Sequence, residues 1–371
     1  MLPPNPLNRD EELYDQVAAL LRREFNYMTS NNTLSALDTK EIPSTSATPT
    51  LPKLHAQWRP SIFEWFYKIV DHFLLERGVV AIAMDYVDRF LLVHPSTHTM
   101  DIKMYQLIAM SSLYVAMKLH GGNDAGGEVS PWRIRRKTFC LKGFVKLSRG
   151  QFVPQDVVTM ETLILKTLNW KMNPVTTSCF LDSFMDMFPK PSFLFDNNTN
   201  AQSKKYLCMG FHVLHELARY LAELAICIPG ITPYFGTEHS GRYSNQLAPS
   251  AVSYAAILLA MDMMTLTAVP MVARLVFQDR CSSTQHRIVD EQSESEYMPF
   301  LQNRPEILKL KKLIHRSFVP SLVLGPLPTQ EKSGSHYQPF KIARTAGMFN
   351  MHYFKDDAEA QEPPIPNVAS R

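Results

Sequence analysis

His212, His215 and Glu216, in the run FHVLHELARY, have types and spacing that could do chemistry. Two imidazoles and a carboxylate on roughly one helix face can ligate a metal. The spacing, however, is neither HExxH nor HxxEH, and no cysteine pair supplies further ligands. Surface or hydrogen-bonded histidines fit it better. The sequence also has no GxSxG elbow, kinase catalytic-loop sequence or dinucleotide fingerprint. The chain is therefore read as non-catalytic, with no metal and no cofactor.

Charges on apolar helix faces carry more information. In VVAIAMDYVDRFLLVH, at about 100° per residue, Asp85 and Arg89 lie one turn apart on a narrow polar stripe. Asp88 lies off that stripe, with Met84, Leu91 and Leu92 among its neighbours at three and four positions. The preceding block, WRPSIFEWFYKIV, has an apolar arc of roughly 200° from which Arg59 projects. A buried charge is tolerated when it is paired, so Arg59 and Asp88 are natural partners locking two helices together. The competing reading places both at the surface. In QDVVTMETLILKTLNW, Glu161 sits among Val157, Val158, Ile164 and Leu165, with no intrahelical cation near it. Lys118 ends LIAMSSLYVAMK, whose Ala109, Ser111, Ser112 and Ala116 would let neighbouring helices approach closely. From the residues alone, Lys118 and Glu161 either make an internal salt bridge or a helix-terminal contact, or wait for a partner.

The elements that must position these residues read as helices almost throughout. Apolar residues recur at three- and four-residue spacing from Trp58 to Leu327, and strand-like alternation is nearly absent. The expected fold is all-α: an amino-terminal helix, two tandem five-helix bundles and a poorly ordered carboxy-terminal tail. Residues 10–27 form the first helix, followed by a Ser/Thr/Asn/Pro-rich linker. The first bundle has blocks near 58–76, 79–94, 101–120, 138–147 and 155–169. The second has blocks near 177–188, 203–228, 248–264, 268–279 and 304–317. The expected division is 1–57 for helix and linker, 58–172 and 173–322 for the two bundles, and 323–371 for the tail.

Composition bounds the alternatives. A chain of 371 residues with 45% hydrophobic content has room for two domains and a sizeable core. A net charge of +3 nominates neither nucleic acid nor a membrane surface. Five cysteines without a close pair suit a reducing compartment, and the start MLPPNPLNRDEEL does not fit a secretion leader. The apolar run AVSYAAILLAMDMMTLTAVPMV carries Asp262 at its centre, where a bilayer would charge about 2.5–3.5 kcal/mol, so it reads as a buried core helix. The basic cluster Arg133, Arg135, Arg136 and Lys137 reads as a solvated run, with a nuclear-import signal as the competing reading, and Thr48-Pro49 and Ser130-Pro131 meet only the minimum for proline-directed phosphorylation.

Four segments in order, WRPSIFEWFYKIV, AIAMDYVDRFL, YQLIAMSSLYVAMK and FVKLSRGQFVPQDVVTMETLILKTLNW, together resemble the successive helices of the cyclin box. The similarity runs from about Trp58 to Trp170. The second bundle matches only in length, helical content and the APSAVSYAAILLA segment. The resemblance implies a regulatory subunit that binds and activates a cyclin-dependent protein kinase in cell-cycle control, in the nucleus and/or cytoplasm. It implies that Lys118 and Glu161 meet that kinase. It also implies a groove for short substrate motifs, built here from Trp58, Ile62, Trp65 and Gln106; packing against the amino-terminal helix is the plainer reading of the same surface. Ser61 stands where the family usually has an aliphatic residue, and Lys68 where an acid often attracts the motif's basic side chain. The loop at 121–137 is about a dozen residues longer than the usual family pattern. The competing use of such a fold is a transcription-factor or adaptor protein binding nucleic acid or peptides, against which the near-neutral charge argues.

Overall fold

The computed structural model describes residues 6–37, 53–94, 100–121, 140–195, 200–228, 248–291, 304–318 and 338–354. The linker at 38–52, the basic cluster, both Ser/Thr-Pro dipeptides and nearly all of the loop after His120 lie outside them. Among the described residues the regular elements are helices, with one isolated bridge between Met264 and Phe349.

The first bundle comprises α2 (Lys53–Phe73), α3 (Gly78–Val93), α4 (Ile102–His120), the short α5 (Leu141–Val145) and α6 (Pro154–Thr167). Helix α4 is its axis, packed on α2, α3 and α6, and its Ala109, Ser111, Ser112 and Ala116 are all buried. Small side chains there let the helices close in. Phe63, Phe66, Val87, Leu113, Phe144 and Ile164 fill the space between them. Local signals set the helix starts. Asp101 accepts the Met104 amide at 2.8 Å to open α4, and Pro154 opens α6 while Asp156 accepts the Val153 amide at 2.9 Å.

The second bundle comprises α7 (Thr177–Asp186), α8 (Ala201–Cys227), α9 (Pro249–Met263), α10 (Met271–Glu291) and α11 (Arg304–Ser317). Helix α9 is buried nearly all round by α7, α8 and α11, which accounts for its membrane-like composition. Asp262, near its end, pairs with Lys311. Among the described residues no helix is long and apolar enough to cross a membrane. Gly210 on α8 is needed for close approach: a Cβ there would lie 2.2 Å from the Ala268 carbonyl oxygen.

Helix α1 (Pro6–Leu37) lies across the second bundle, against α7 and α10, and buries Val17, Ala18 and Leu21 in that core. Glu24, also buried, accepts the Ser250 amide at 2.9 Å and its hydroxyl at 2.7 Å, placing a carboxylate on the amino-terminal end of α9.

Helix α10 runs to Glu291, twelve residues past its expected end, and three further expectations change. Helix α1 continues ten residues past Tyr27, because the Ser/Thr/Asn run that reads as linker contains neither Gly nor Pro up to Leu37, and these polar residues cost an established helix well under 1 kcal/mol each. Helix α2 starts at Lys53, five residues before Trp58, and runs through Pro60, which the sequence pattern places in a first turn. The tail is not uniformly unstructured: α12 (Gln338–Thr345) and the 3-10 turn Met351–Phe354 bury Phe340, Ala343, Met348, Phe349 and Phe354 in the second core. Backbone bonds of 2.8 Å from Thr265 N to Met348 O and from Asn350 N to Met263 O fasten this segment, so the second unit reaches beyond residue 322.

Candidate functional site

Arg59 and Asp88 meet between α2 and α3, each side chain 1% exposed, and Arg59 Nη1 donates to Asp88 Oδ1. The earlier start of α2 adds a third member. His55, one turn before Arg59, sets Nε2 at 3.0 Å from Asp88 Oδ1 and Nδ1 at 3.0 Å from the Tyr105 hydroxyl. A tautomer with the proton on Nε2 satisfies both: the ring donates to Asp88 and accepts from Tyr105. Arg59 Nη2 also donates to the Ile226 carbonyl of α8 at 3.4 Å, and its guanidinium lies 5.1 Å from the Phe63 ring centroid. One arginine therefore ties α2, α3 and the second bundle together. Burial pushes the Asp88 pKa up, but the Arg59 charge and the hydrogen bonds from His55 and Arg59 outweigh it, and the carboxylate is held below its usual range. Asp88 is ionised and structural.

The stripe of Asp85 and Arg89 is buried as well, because α1 crosses it. The Tyr27 hydroxyl donates to Asp85 Oδ2 at 2.8 Å, and both terminal nitrogens of Arg89 donate to the Lys171 carbonyl at 2.8 Å. Burial raises the Asp85 pKa to about 6, with the nearby Asp88 adding to it and the Arg89 charge and Tyr27 hydrogen bond opposing it. Sequence periodicity shows the stripe; what covers it comes from a helix about sixty residues upstream. Arg77 is another residue that periodicity misses. It stacks 4.3 Å from the Tyr67 ring centroid, bonds both oxygens of Asp71 (2.8 and 2.7 Å) and reaches Glu223 on α8 at 2.8–3.0 Å. It is a second lock between the bundles.

Lys118, in the last turn of α4, and Glu161, midway along α6, come together as an ion pair on the outside of the first bundle. Lys118 is 40% exposed and Glu161 14%, and the ammonium lies 5.0 Å from the Tyr114 ring centroid. Both readings open from sequence are thus present in one geometry: the groups pair with each other, yet face outward. Lys118 keeps two N–H groups and Glu161 its second oxygen for a further molecule.

The four groove residues divide. Trp58, Trp65 and Gln106 are half-buried, the two indoles resting on the first core. Ile62 is a correction: it is buried among the core residues and supplies floor rather than exposed lining. Helix α1 packs on the second bundle, so the plainer reading of this surface does not describe α1's main contacts. Ser61 is exposed, and exposed Lys68 donates to Glu64 at 2.6 Å one turn back. On α8, His212 is exposed, and His215 Nε2 lies 3.0 Å from Asp182 Oδ1. No cluster of three or more metal-ligating side chains occurs among the described residues.

The family model described as cyclin, N-terminal domain, matches residues 25–173, from Phe25 in α1 to Asn173 just before α7. The G1/S-specific cyclin-E1 of Gallus gallus is 28% identical over 137 residues, covering 37% of this chain and 29% of the relative. The G1/S-specific cyclin CLN2 of Candida albicans is 24% identical over 198 residues, covering 53% and 38%. The matches thus span between about a quarter and two fifths of these relatives' lengths. The X-ray structure of a viral cyclin from herpesvirus saimiri superposes with a TM-score of 0.42 at 15% identity, covering 78% of this chain and 97% of that one.

Proposed function

We propose, from a chain that belongs to the cyclin family through residues 25–173, that this protein is a non-catalytic regulatory subunit that binds and activates a cyclin-dependent protein kinase in cell-cycle control. The outward-facing Lys118–Glu161 pair carries the reading. A kinase of this type is active only when its strand lysine and the glutamate of its mobile helix form an ion pair, and the helix position controls this. A rigid surface that binds the active position more tightly shifts the population toward it. Here rigidity comes from the buried charges behind the surface, and the hydrogen-bonding capacity left on Lys118 and Glu161 faces the kinase. The half-buried indoles of Trp58 and Trp65, with Gln106, form a secondary docking surface for short substrate motifs. Lys68, already bonded to Glu64, lowers its preference for basic side chains.

The test is activation of a purified cyclin-dependent kinase by the wild-type chain, Lys118→Ala and Glu161→Ala. An exposed pair contributes about 0–1 kcal/mol to folding, so both variants keep near-native melting temperatures. Activation at subsaturating chain falls in both. Equal activation by all three proteins at every concentration removes the assignment of this face.

A further inference from the structure

A cleft of about 240 Å³ opens at the seam of the two bundles, where the turn after α2 and the start of α3 face α7 and α8. Gly78 and Ser178 meet in its lining so closely that a Cβ on Gly78 would lie 2.8 Å from Ser178 Oγ. The walls are largely apolar, with Leu75 and Ala81 from the first bundle and Leu181, Ala222 and Ile226 from the second. Small-molecule sites typically enclose roughly 300–1,000 Å³. This one is smaller, with room for a single long side chain.

The charges around it decide which side chain. Glu76, Asp182 and Glu223 share the lining with Arg77 and Arg219. Both arginines are already engaged, Arg77 by Asp71 and Glu223, and Arg219 by Asp182 at 3.7 Å and Glu216 at 3.6 Å. Two of the acids are not. Asp182 is exposed and uses Oδ1 for His215 and Arg219, which leaves Oδ2 open. Glu76 is exposed, and its side chain has no ion pair among the described residues. Tyr67 adds a further acceptor. The hydroxyls of Tyr27, Tyr86 and Tyr105 are all hydrogen-bonded, whereas that of half-buried Tyr67, in the cleft lining, has no partner among the described residues. Burial, and next the Glu223 charge, push its pKa well above the usual tyrosine value, so it stays protonated and neutral. The unused capacity is thus mainly that of acceptors, in a lining with more carboxylates than guanidiniums. An anion would meet arginines already neutralised. A cation with an aliphatic stem meets apolar walls and open oxygens, and arginine suits them best, because its fork of five N–H groups reaches acceptors on more than one element.

We infer that the seam cleft receives one arginine side chain from an extended segment of a partner protein, with Asp182, Glu76 and the Tyr67 hydroxyl accepting from its guanidinium. The site is separate from the Lys118–Glu161 face and does not depend on the kinase reading. Because its walls come from both bundles, an occupant adds a tie across the seam beside those of Arg59 and Arg77. The test is an NMR titration of the full-length chain that follows the methyl resonances of Leu75, Leu181 and Ile226. Three acetylated tripeptide amides serve as probes, with arginine, its uncharged isostere citrulline, or phosphoserine between two alanines. The arginine peptide should shift these resonances saturably, and the other two should not. Tyr67→Phe, which removes a hydroxyl that the fold leaves unbonded, should weaken arginine binding about threefold, and Asp182→Asn about tenfold, with near-native melting temperatures in both. No saturable response to the arginine peptide overturns the inference, as does an equal response to citrulline or a stronger one to phosphoserine. Undiminished binding in both variants overturns it as well.

Discussion

Replacing Arg59 by alanine leaves Asp88 buried, with only His55 donating to its carboxylate. Both side chains are 1% exposed, so water cannot take the place of the lost guanidinium without opening the interface of α2 and α3. Breaking such a pair from one side costs about 3–5 kcal/mol, a large part of the 5–15 kcal/mol that holds a typical domain together. The contact with the Ile226 carbonyl is lost as well, which loosens the second bundle. Removing Asp88 in the same chain takes away the orphaned charge, so Arg59→Ala/Asp88→Ala should lose at least about 1.5 kcal/mol less than the sum of the single losses. Acid provides an independent check. In the wild type the Asp88 pKa lies below the ordinary 3.8, so its contribution is complete above that value and disappears as pH falls through the lower folded one. In Arg59→Ala burial dominates and the folded-state pKa rises. The deficit against wild type should therefore shrink as pH is lowered from 8 toward 5. Urea melts of the four proteins at both pH values measure these quantities. Small additive losses, or a deficit independent of pH, would refute the argument that the pair compensates for burial.

Two further outcomes follow from the same structure. The Asp85 pKa is raised from 3.8 to about 6, so the folded state holds the proton more tightly than the unfolded chain. The associated stability is complete below about 3.8 and is lost as pH climbs through about 6; Asp85→Asn should lack that slope, its stability relative to wild type rising by about 2–3 kcal/mol between pH 4 and pH 7 in denaturant melts. Phe349→Ala, at a position closing the second core, should cost about 3–5 kcal/mol by thermal or urea unfolding, whereas an unstructured tail would show no change.

The bundles were legible because most of their helices have an apolar stripe at helical spacing, α9 being apolar nearly all round instead, and some have clear start signals, such as Asp101 and Pro154. Asp88 was legible for the opposite reason, as a charge out of place on an apolar face, and Arg59 as the nearest cation in a wide arc. His55 was not, because a proline and the linker composition before it concealed the turn of helix that holds it. Its signal was present as a four-residue spacing to Arg59. Glu24 and Tyr27 were hidden differently: their partners, Ser250 and Asp85, are distant in sequence, and no local pattern encodes which surface a preceding helix covers. The aromatic anchors Phe340, Phe349 and Phe354 were obscured by the polar, glycine-containing residues between them.

Burial sorts the charges into different tasks. Arg59, Asp88, Asp85 and Arg89 are almost wholly removed from water, and at such sites an unpaired charge is so costly that their geometry admits few alternatives. Arg77 extends this locking to the seam by reaching Glu223, as Arg59 does through Ile226. The Lys118–Glu161 pair is worth little to stability because water reaches it, and for that reason its bonds can be exchanged for a partner's at low cost. The two regions connect at the turn after α6: Arg89 fixes the Lys171 carbonyl, and His120, at the end of the helix that carries Lys118, fixes Met172. Loosening Arg89 would therefore loosen this turn and, through α4, blur the presentation of Lys118, without altering that side chain.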